Sequence, residues 1–445
     1  MTTNRRNFLR NSSTLAAGLG FASVVSGKTK EASANPGLAK VNIAVIGVGM
    51  GCRDLQGALT NNPWVHCIGM CDVNKQRLEE QAARFRKDFP DQTANLQLYT
   101  DFRKLLDNKE INGVIIATPD HWHTYIFAEA LRAGKAIYVE KPVANSIEEC
   151  NLMLDLQKKH KAIITTGLWQ TSQRYFRGAN EILKTGVLGE VYKVQIWLSQ
   201  STEPRAGADD APPPEYLDHE MWLGPAPKRA FNPNRFRGWR GFWDYGGGQQ
   251  TDWGVHWIDS AFDGLHALGM SNREYPQAVF STAFKHPKTF NETPGCQTTI
   301  FQFNNFHVEW SQQVAHLYNR NQGVAWIGSK ATLVCNRDGY ELIPEKNREG
   351  VLLADRAQLV GKFEEGGVDA HATNWCSCIR DGSAATNSPI EKGAFATILA
   401  HMGNISFRTG SMVVYDPVKR SFVNNQQADS FLKKNYRAPW KLPQV

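Results

Sequence analysis

The sequence predicts an α/β domain with a doubly wound, mostly parallel sheet, followed by an α+β domain with a large, open, mostly antiparallel sheet. From Val41 to Thr166, apolar runs of strand length alternate with amphipathic helical stretches, which is the pattern of a parallel sheet. Beyond residue 277, short β-type runs follow one another between turn residues, which indicates antiparallel strands. We therefore divide the chain into residues 1–34, an N-terminal domain at 35–165 and a second domain at 166–445.

The composition excludes several classes of function. With 445 residues, the chain is long enough for two domains with cores of their own. Its net charge of +7 is spread along the sequence, so nucleic-acid binding has no support. Its eight cysteines lack the paired C-x-x-C spacing of a zinc site and are too sparse for a disulfide scaffold. We therefore expect no metal and no nucleic-acid partner.

Residues 1–34 have the features of a targeting segment. Paired arginines, Arg5 and Arg6, precede a mildly apolar stretch, Leu15 to Val25, and a small-residue cleavage site follows at Ala32 to Ala34. This order resembles a twin-arginine export signal, although a disordered basic tail is the alternative. The apolar stretch is too short to span a membrane. We expect export by the twin-arginine machinery to the periplasm, with a membrane-associated or extracellular location as further options.

The first predicted element is the strand and turn from Val41 to Cys52, VNIAVIGVGMGC. Glycines at 47 and 49 allow a tight turn and let a diphosphate approach the backbone, at the start of a helix. The strict G-x-G-x-x-G fingerprint would require glycine where Cys52 stands, and the third glycine instead falls one residue early. We predict a dinucleotide-binding turn formed by Gly47, Gly49, Met50 and Gly51.

The second predicted strand, Val65 to Cys71, ends at an acidic residue, Asp72. A carboxylate at about this distance from the glycine turn accepts hydrogen bonds from the adenosine ribose and repels a 2′-phosphate. The nearby Lys75, at the start of a predicted helix to Asp88, weakens this preference. We therefore predict NAD as the cofactor, with NADP as the less favoured alternative.

Two polar loops follow the next strands of the predicted parallel sheet. The strand Gly113 to Ala117 leads into Thr118-Pro119-Asp120-His121-Trp122-His123, and the strand Ala136 to Val139 leads into Glu140-Lys141-Pro142. Open α/β sheets bind their ligands at the carboxyl ends of strands. Both loops are therefore predicted to line the same cleft.

These motifs resemble those of the Gfo/Idh/MocA family of sugar oxidoreductases, over essentially residues 40–445. The resemblance implies that Lys141 lies beside the nicotinamide and the substrate hydroxyl. It also implies a cofactor-binding set that includes Thr118, Pro119, His123 and Glu140. For His121 an exposed loop histidine is the favoured interpretation. A metal at His121 and His123 is disfavoured, since the spacing suggests no third ligand.

A second polar motif follows a run of three glycines at 246–248. Asp252 and His256 are four residues apart, so on one helix they would share a face. The pair alone is more typical of a cap or a surface. The family resemblance implies that His256 is the acid/base and that Asp252 contacts the substrate and orients the site. Lys141 would then polarise the alcohol oxygen.

The substrate wall and the rest of the second domain are predicted less specifically. The aperiodic stretch Thr202 to Tyr245 is long enough to indicate a functional loop or lid. Aromatic and hydrogen-bonding side chains that could hold a sugar, or merely pack the fold, are Trp169, Gln173, Arg174, Tyr175, Arg240 and Trp243, together with Asp252. Strands are predicted at 277–284, 297–303, 307–314, 324–327 and 332–335, with late helices from His371 and from Ile390 to Arg408.

We interpret the chain as an NAD-dependent oxidoreductase that transfers hydride from a secondary hydroxyl of a sugar. An exported enzyme has no soluble NAD pool, so we expect it to retain its cofactor tightly. An exported NAD-dependent glycosidase that oxidises, eliminates, hydrates and reduces again is the alternative. A non-catalytic NAD-binding protein is the third possibility. The open sheet predicts a homo-oligomer.

Overall fold

The computed structural model of the protein describes residues 37–200, 206–314, 321–360 and 366–445. The predicted export signal at 1–34 lies outside these ranges. Within them, no helix is long and apolar enough to cross a membrane. The same ranges contain no cluster of three or more His, Cys, Asp or Glu side chains suited to a metal ion.

The first domain is built on a six-stranded parallel sheet, as predicted. Its strand order, β3-β2-β1-β4-β5-β6, is that of the doubly wound dinucleotide-binding fold. The strands are β1 Val41–Ile46, β2 Val65–Cys71, β3 Gln97–Tyr99, β4 Gly113–Ile116, β5 Ala136–Val139 and β6 Ile164–Thr166. The central strands are buried almost throughout because helices cover both faces of the sheet.

The helices of the first domain begin close to the predicted positions. Ser146 is the N-cap of one of them and accepts a hydrogen bond from the backbone N–H of Glu149, as the capping-box pattern predicts. The Glu149 carboxylate in turn accepts from the backbone N–H of Asn145. The helices are Gly51–Leu59, Lys75–Asp88, Phe102–Leu106, His123–Arg132 and Ile147–His160.

The second domain carries an eight-stranded sheet in the order β14-β13-β12-β11-β7-β10-β9-β8. Only β7 and β10 pair in parallel, so the predicted mostly antiparallel sheet is confirmed. Strands β13 and β14 were not predicted, because they are short and lack a regular apolar alternation. The strands are β7 Val191–Gln200, β8 Ala278–Phe284, β9 Cys296–Gln302, β10 His307–Val314, β11 Gln322–Gly328, β12 Ala331–Asn336, β13 Gly339–Pro344 and β14 Ala357–Val360.

Long helices connect the second sheet to the first domain. The helix Gly254–Ala267 packs on the sheet, where the Trp326 indole N–H donates to the carbonyl of Ala261. The helix Gly367–Asp381 packs on the first domain, with the ring of Trp375 5.8 Å from that of Tyr138. The remaining elements are the helices Arg174–Lys184, Ile390–Thr409 and Gln426–Asp429 and the strands β15 Tyr415–Asp416 and β16 Ser421–Phe422.

Residues 206–245, here called the crossover segment, run back over the first domain. The segment contains two short helices, His219–Leu223 and Pro233–Arg237, where the sequence shows little periodicity. Its backbone bonds to the turn after β2, since Lys75 donates to the carbonyl of Tyr216 and Asp218 donates to that of Val73. The crossover segment therefore covers the carboxyl ends of the parallel strands.

Candidate active site

A cleft of about 630 Å³ lies at the carboxyl ends of β1, β2, β4 and β5. One wall comes from the turns after these strands and runs from Asp72 to Lys141. The other wall comes from the crossover segment and includes Tyr216, Trp222 and Trp239. This is the place where open α/β sheets bind a dinucleotide.

In the glycine turn after β1, the absence of side chains lets the backbone lie close to neighbouring residues. Gly47 has a φ of +93°, and a Cβ there would lie 2.6 Å from the carbonyl oxygen of Ala117. A Cβ on Gly51 would lie 2.7 Å from a methyl group of Val45, so Gly51 lets the helix pack closely on the sheet. That is the task of the third glycine of the fingerprint, performed one position early. Gly49 and Met50 line the cleft.

Asp72 also lines the cleft, and backbone N–H groups fix the position of its carboxylate. Its carboxylate accepts hydrogen bonds from the N–H groups of Val48 at 3.0 Å and Asn74 at 2.8 Å. Burial raises the pKa of Asp72, and these hydrogen bonds oppose the rise. Arg77 lines the same end of the cleft. The carboxylate is therefore placed to meet a ribose, with a cation nearby that the sequence analysis did not consider.

The Thr118 to His123 loop divides its side chains between the cleft and the fold. Thr118 and Pro119 line the cleft, and the buried Thr118 hydroxyl has no hydrogen-bond partner in the described part of the chain. His123 contacts the carbonyls of Pro142 at 2.8 Å and Thr118 at 2.9 Å. His123 therefore ties the two cofactor-side loops together, while the Thr118 hydroxyl remains available to a ligand.

His121 does not line the cleft, in agreement with the favoured interpretation, but the predicted exposure on a loop is wrong. Its side chain is buried, and its Nε2 lies 3.0 Å from the carbonyl oxygen of Trp222 in the crossover segment. The neighbouring Trp122 indole donates to the carbonyl of Met221 at 3.1 Å. His121 and Trp122 therefore hold the crossover segment in place through its backbone carbonyls, and neither has an assigned contact with the ligand.

Lys141 and Asp252 meet across the two domains. The Lys141 ammonium lies 2.5 Å from Oδ1 of Asp252 and 2.8 Å from its backbone carbonyl oxygen. Arg240 of the crossover segment approaches the same Oδ1 at 3.0 Å. Burial would raise the pKa of Asp252, but the charges of Lys141 and Arg240 outweigh it and lower that pKa to about 2. The carboxylate is therefore ionised under all ordinary conditions.

Asp252 and His256 do not belong to one regular helix, contrary to the prediction. Asp252 ends the short helix Gly248–Asp252, and His256 lies in the first turn of Gly254–Ala267, with Trp253 between them. The His256 backbone N–H donates to the Trp253 carbonyl at 3.1 Å. The break arises at a glycine-rich sequence, where helix propensity is weak.

His256 is a buried imidazole in an aromatic setting. Its ring lies 6.1 Å from that of Trp169 and 6.4 Å from that of Trp253, measured between centroids. Its Nδ1 has no hydrogen-bond partner among the described residues. Burial, followed by the charges of Lys141 and Arg337, lowers the pKa of His256 well below its ordinary value. The imidazole is therefore neutral, and its unpartnered Nδ1 is the atom that a ligand hydroxyl could meet.

A buried charge cluster lies behind the Glu-Lys-Pro loop. Arg53 pairs with Asp54 at 3.0 Å and with Glu140 at 3.4 Å. Burial and the Asp54 carboxylate raise the pKa of Glu140 to about 8. Glu140 therefore holds a proton more readily than a free glutamate does, beside the backbone of Lys141.

The remaining predicted substrate residues lie in different places. Arg240 lines the cleft and stacks on Trp239, with its guanidinium 4.2 Å from the ring centroid. Trp169 is fully buried behind His256, and the Gln173 amide donates to the Arg337 carbonyl. Outside the cleft lie the exposed Arg174, the buried Tyr175 and Trp243, which lines a separate cavity under Arg408.

Three functional features were missed by sequence reasoning. Asp120 lines the cleft beside Lys141 and Arg240, and its position in a strand-end polar loop was an available signal. Arg337 faces the rings of Trp169 and Trp253 at 4.6 and 4.8 Å, far from both in sequence, so no local pattern pointed to it. The Arg53 and Asp54 pair follows the glycine turn but resembles an ordinary helix surface.

Comparison with known proteins agrees with this architecture. Residues 41–168 match a family model described as an oxidoreductase family, NAD-binding Rossmann fold. Residues 180–276 match one described as an oxidoreductase family, C-terminal alpha/beta domain. The first domain therefore binds NAD, and the glycine turn, Asp72 and the unpartnered Thr118 hydroxyl fit that ligand.

Two curated relatives illustrate the range of activities among similar proteins. An alpha-N-acetylgalactosaminidase of Tannerella forsythia is 27% identical over 210 residues, which is 43% of this chain and 44% of the relative. An inositol 2-dehydrogenase of Salmonella typhimurium is 23% identical over 148 residues, which is 33% of this chain and 42% of the relative. Each alignment spans less than half the length of the relative.

Two solved structures share the fold over most of the chain. A levoglucosan dehydrogenase in complex with NADH and levoglucosan has a TM-score of 0.63 at 18% identity, covering 84% of this chain and 99% of that one. An aldose-aldose oxidoreductase from Caulobacter crescentus, complexed with glycerol, has a TM-score of 0.62 at 17% identity, covering 84% of this chain and 99% of that one. At these identities the likeness concerns the fold.

Proposed function

Because this chain belongs to the Gfo/Idh/MocA family of oxidoreductases, we propose that it oxidises a secondary hydroxyl of a sugar or sugar derivative by hydride transfer to NAD. The observation that carries the proposal is the meeting of Lys141 and Asp252 at the end of the cofactor cleft. The neutral imidazole of His256 follows four residues later. A binding protein needs no such combination of a cation, an ionised carboxylate and a base.

The residues divide the chemistry of alcohol oxidation among themselves. Bound NAD supplies the hydride acceptor. His256 is the base that takes the hydroxyl proton, since its imidazole is neutral and its Nδ1 is unpartnered within the described ranges. Lys141 donates a hydrogen bond to the alcohol oxygen and stabilises the negative charge that develops on it. Asp252 fixes the Lys141 ammonium and accepts a hydrogen bond from a neighbouring sugar hydroxyl.

We also propose that the protein retains its nucleotide between turnovers. The crossover segment supports this, because it covers the cleft from Tyr216 at one end to Arg240 at the other. It is fastened by backbone hydrogen bonds to the turn after β2 and by His121 and Trp122. We therefore expect release of NAD to need a displacement of the segment. This fits the proposed export to the periplasm through the twin-arginine machinery, where no soluble NAD pool would replenish the site.

A direct experiment tests both parts of this proposal. Protein purified without added nucleotide is denatured, and the released nucleotide is identified. Fresh protein is then incubated with aldoses and inositols, and NADH fluorescence is followed. We expect NAD in the released fraction and sugar-dependent fluorescence, which His256→Ala abolishes. Loosely held nucleotide would refute retention, and unchanged turnover in His256→Ala would refute the assigned base.

A redox-neutral glycosidase is the second candidate, favoured by the similarity to the alpha-N-acetylgalactosaminidase. Such an enzyme oxidises one carbon, removes the adjacent acidified proton, eliminates the aglycone, adds water and returns the hydride. His256 could remove that proton. Tyr175 is the weaker candidate, because its side chain is fully buried and its hydroxyl accepts a hydrogen bond from Arg174 at 3.1 Å. Release of the phenol from aryl glycosides without added NAD would place this activity first.

We propose a homo-oligomer as the functional assembly. The supporting observation is the large sheet, whose strands β8 and β9 alternate buried and exposed residues and expose Phe280 and Phe284. Apolar side chains on an open sheet are commonly covered by another subunit. Light scattering of the purified protein measures the assembly directly.

A further inference from the structure

We infer that Asp120 binds a second hydroxyl of the same sugar, next to the hydroxyl that Lys141 and His256 process. This inference rests on the proposed function and assigns a substrate contact to a residue that the motifs did not single out. Asp120 follows Pro119 at the end of β4 and begins the turn Asp120–Trp122. It lines the cofactor cleft together with Lys141 and Arg240.

The Asp120 carboxyl group lies close to the glycine run that precedes Asp252. Its Oδ2 is the nearest side-chain oxygen to Gly246, where an added Cβ would lie 3.2 Å away. Gly246 belongs to the glycine run that leads into the short helix ending at Asp252. Any larger residue at 246 would crowd Asp120, so the glycine leaves room for this carboxyl group next to the Asp252 site.

Asp120 differs from the other charged groups of the site in having no hydrogen-bond partner beyond its own backbone N–H. Lys141 and Arg240 both approach Oδ1 of Asp252, at 2.5 and 3.0 Å. In the described ranges its carboxyl group forms no hydrogen bond or ion pair with another residue, although the charges of Arg240 and Lys141 act on it. The side chain is nevertheless only 3% exposed. Buried polar groups are almost always hydrogen-bonded, so a buried carboxyl facing a cleft without a partner indicates a place for a ligand.

The setting also defines which ligand chemistry fits. Burial raises the pKa of Asp120 well above its usual range, opposed by Arg240 and reinforced by the Asp252 carboxylate. When protonated, the carboxyl group offers one O–H donor and one carbonyl acceptor, and when ionised it offers acceptors only, so a sugar hydroxyl can pair with either form. Because Asp252 stays ionised, its carboxylate can only accept hydrogen bonds from the substrate, whereas a protonated Asp120 can also donate one. Together they select a molecule with at least two hydroxyl groups at neighbouring positions.

Deoxy analogues test this assignment. Full-length protein carrying its NAD is titrated calorimetrically with the aldose or inositol that binds best, and then with the monodeoxy derivatives of that sugar. For the wild type we expect one deoxy derivative to bind about tenfold or more weakly, because it leaves Asp120 unpaired. In Asp120→Ala the same derivative should bind as well as the parent sugar, so the discrimination disappears. Asp120→Asn keeps a donor and an acceptor and should keep most of the discrimination.

Several outcomes would overturn the inference. If Asp120→Ala ranks the deoxy derivatives as the wild type does, the carboxyl group does not contact the sugar. If Asp120→Ala loses NAD affinity but keeps the ranking, the carboxyl group serves the cofactor instead. Asp120→Ser provides a second truncated variant should the alanine form not fold, and Asp209→Asn, at an exposed carboxylate, is the matched control. Failure of the proposed function is distinct, because the wild type would then bind sugar without reducing its NAD.

Discussion

The ammonium of Lys141 lies 2.5 Å from the Asp252 carboxylate, although the two residues belong to different domains. Lys141 follows a strand of the parallel sheet, and Asp252 ends a short helix of the second domain. A single buried ion pair therefore joins the cofactor domain to the substrate domain. Breaking one partner of such a pair leaves an uncompensated charge, which is strongly unfavourable.

The first prediction concerns the carboxylate. Asp252→Asn leaves Lys141 and Arg240 without the charge that holds them together, so both cations shift and the alcohol is no longer oriented. We expect the rate of NAD reduction by sugar to fall roughly 100-fold or more. Single-turnover fluorescence measures the rate. An exposed carboxylate, Asp338, provides the matched control as Asp338→Asn, and a rate for Asp252→Asn equal to that control would contradict the assignment.

Glu140→Gln tests the protonation of the buried acid behind Lys141. The pKa of Glu140 rises from 4.5 to about 8, so the folded state binds more protons than the unfolded state between these values. The contribution of Glu140 to stability is therefore present at low pH and is lost as the pH rises through about 8. We expect the Tm of Glu140→Gln to fall less steeply between pH 4.5 and about pH 8. Parallel Tm curves for variant and wild type would show that Glu140 is ionised throughout.

The buried histidines predict the opposite response to acid. Burial lowers the pKa of His401 from 6.5 to about 4, so the unfolded state binds more protons between these values. Its contribution to stability is therefore present above pH 6.5 and is lost as the pH falls towards 4. His401→Gln cannot gain this proton, and its Tm should decline less steeply over that range. Comparing the variant with the wild type isolates His401 from other titrating groups, and an unchanged slope would contradict its neutral state.

Trp222→Ala tests whether the crossover segment retains the nucleotide. The indole is buried between His121 and Tyr245, with ring centroids at 5.7 and 4.9 Å, and lines the cleft. Its removal leaves a cavity under the segment, so we expect NAD to dissociate at least tenfold faster. Stopped-flow fluorescence with a nucleotide trap measures the rate. Trp64→Ala, at a half-buried indole outside the cleft, is the control, and equal dissociation rates would refute the role of the segment.

Sequence reasoning was most successful where local patterns decide the structure. The parallel sheet, the glycine turn and the helix cap at Ser146 all follow from residues close together in the chain. Gly51 shows that the third glycine can move by one residue when the helix still packs against Val45. The break between the two helices at Trp253 could not be predicted from the spacing of Asp252 and His256. A spacing of four residues is the same whether the helix is continuous or interrupted.

Residues placed by tertiary contacts could not be identified in this way. Trp243 resembles a sugar-stacking residue in the sequence, yet it lies in a second cavity against Arg408. In the sequence Asp120 resembles an ordinary acidic loop residue, but in the structure it lines the cleft together with Lys141 and Arg240, which contact Asp252. Arg337 reaches the aromatic rings beside His256 from a distant turn of the second sheet. In each case the sequence gives the chemical type of the side chain, but it does not give the residues that surround it in the folded protein.

Lys141→Met removes the ammonium, keeps the length of the side chain and is the most direct test of the proposed active site. Purified without added nucleotide, this variant and the wild type are compared for NAD content and for reduction of that NAD by sugar. We predict equal NAD content, with reduction slowed roughly 100-fold or more in the variant. Reduction at the wild-type rate in Lys141→Met would contradict the assignment of this site.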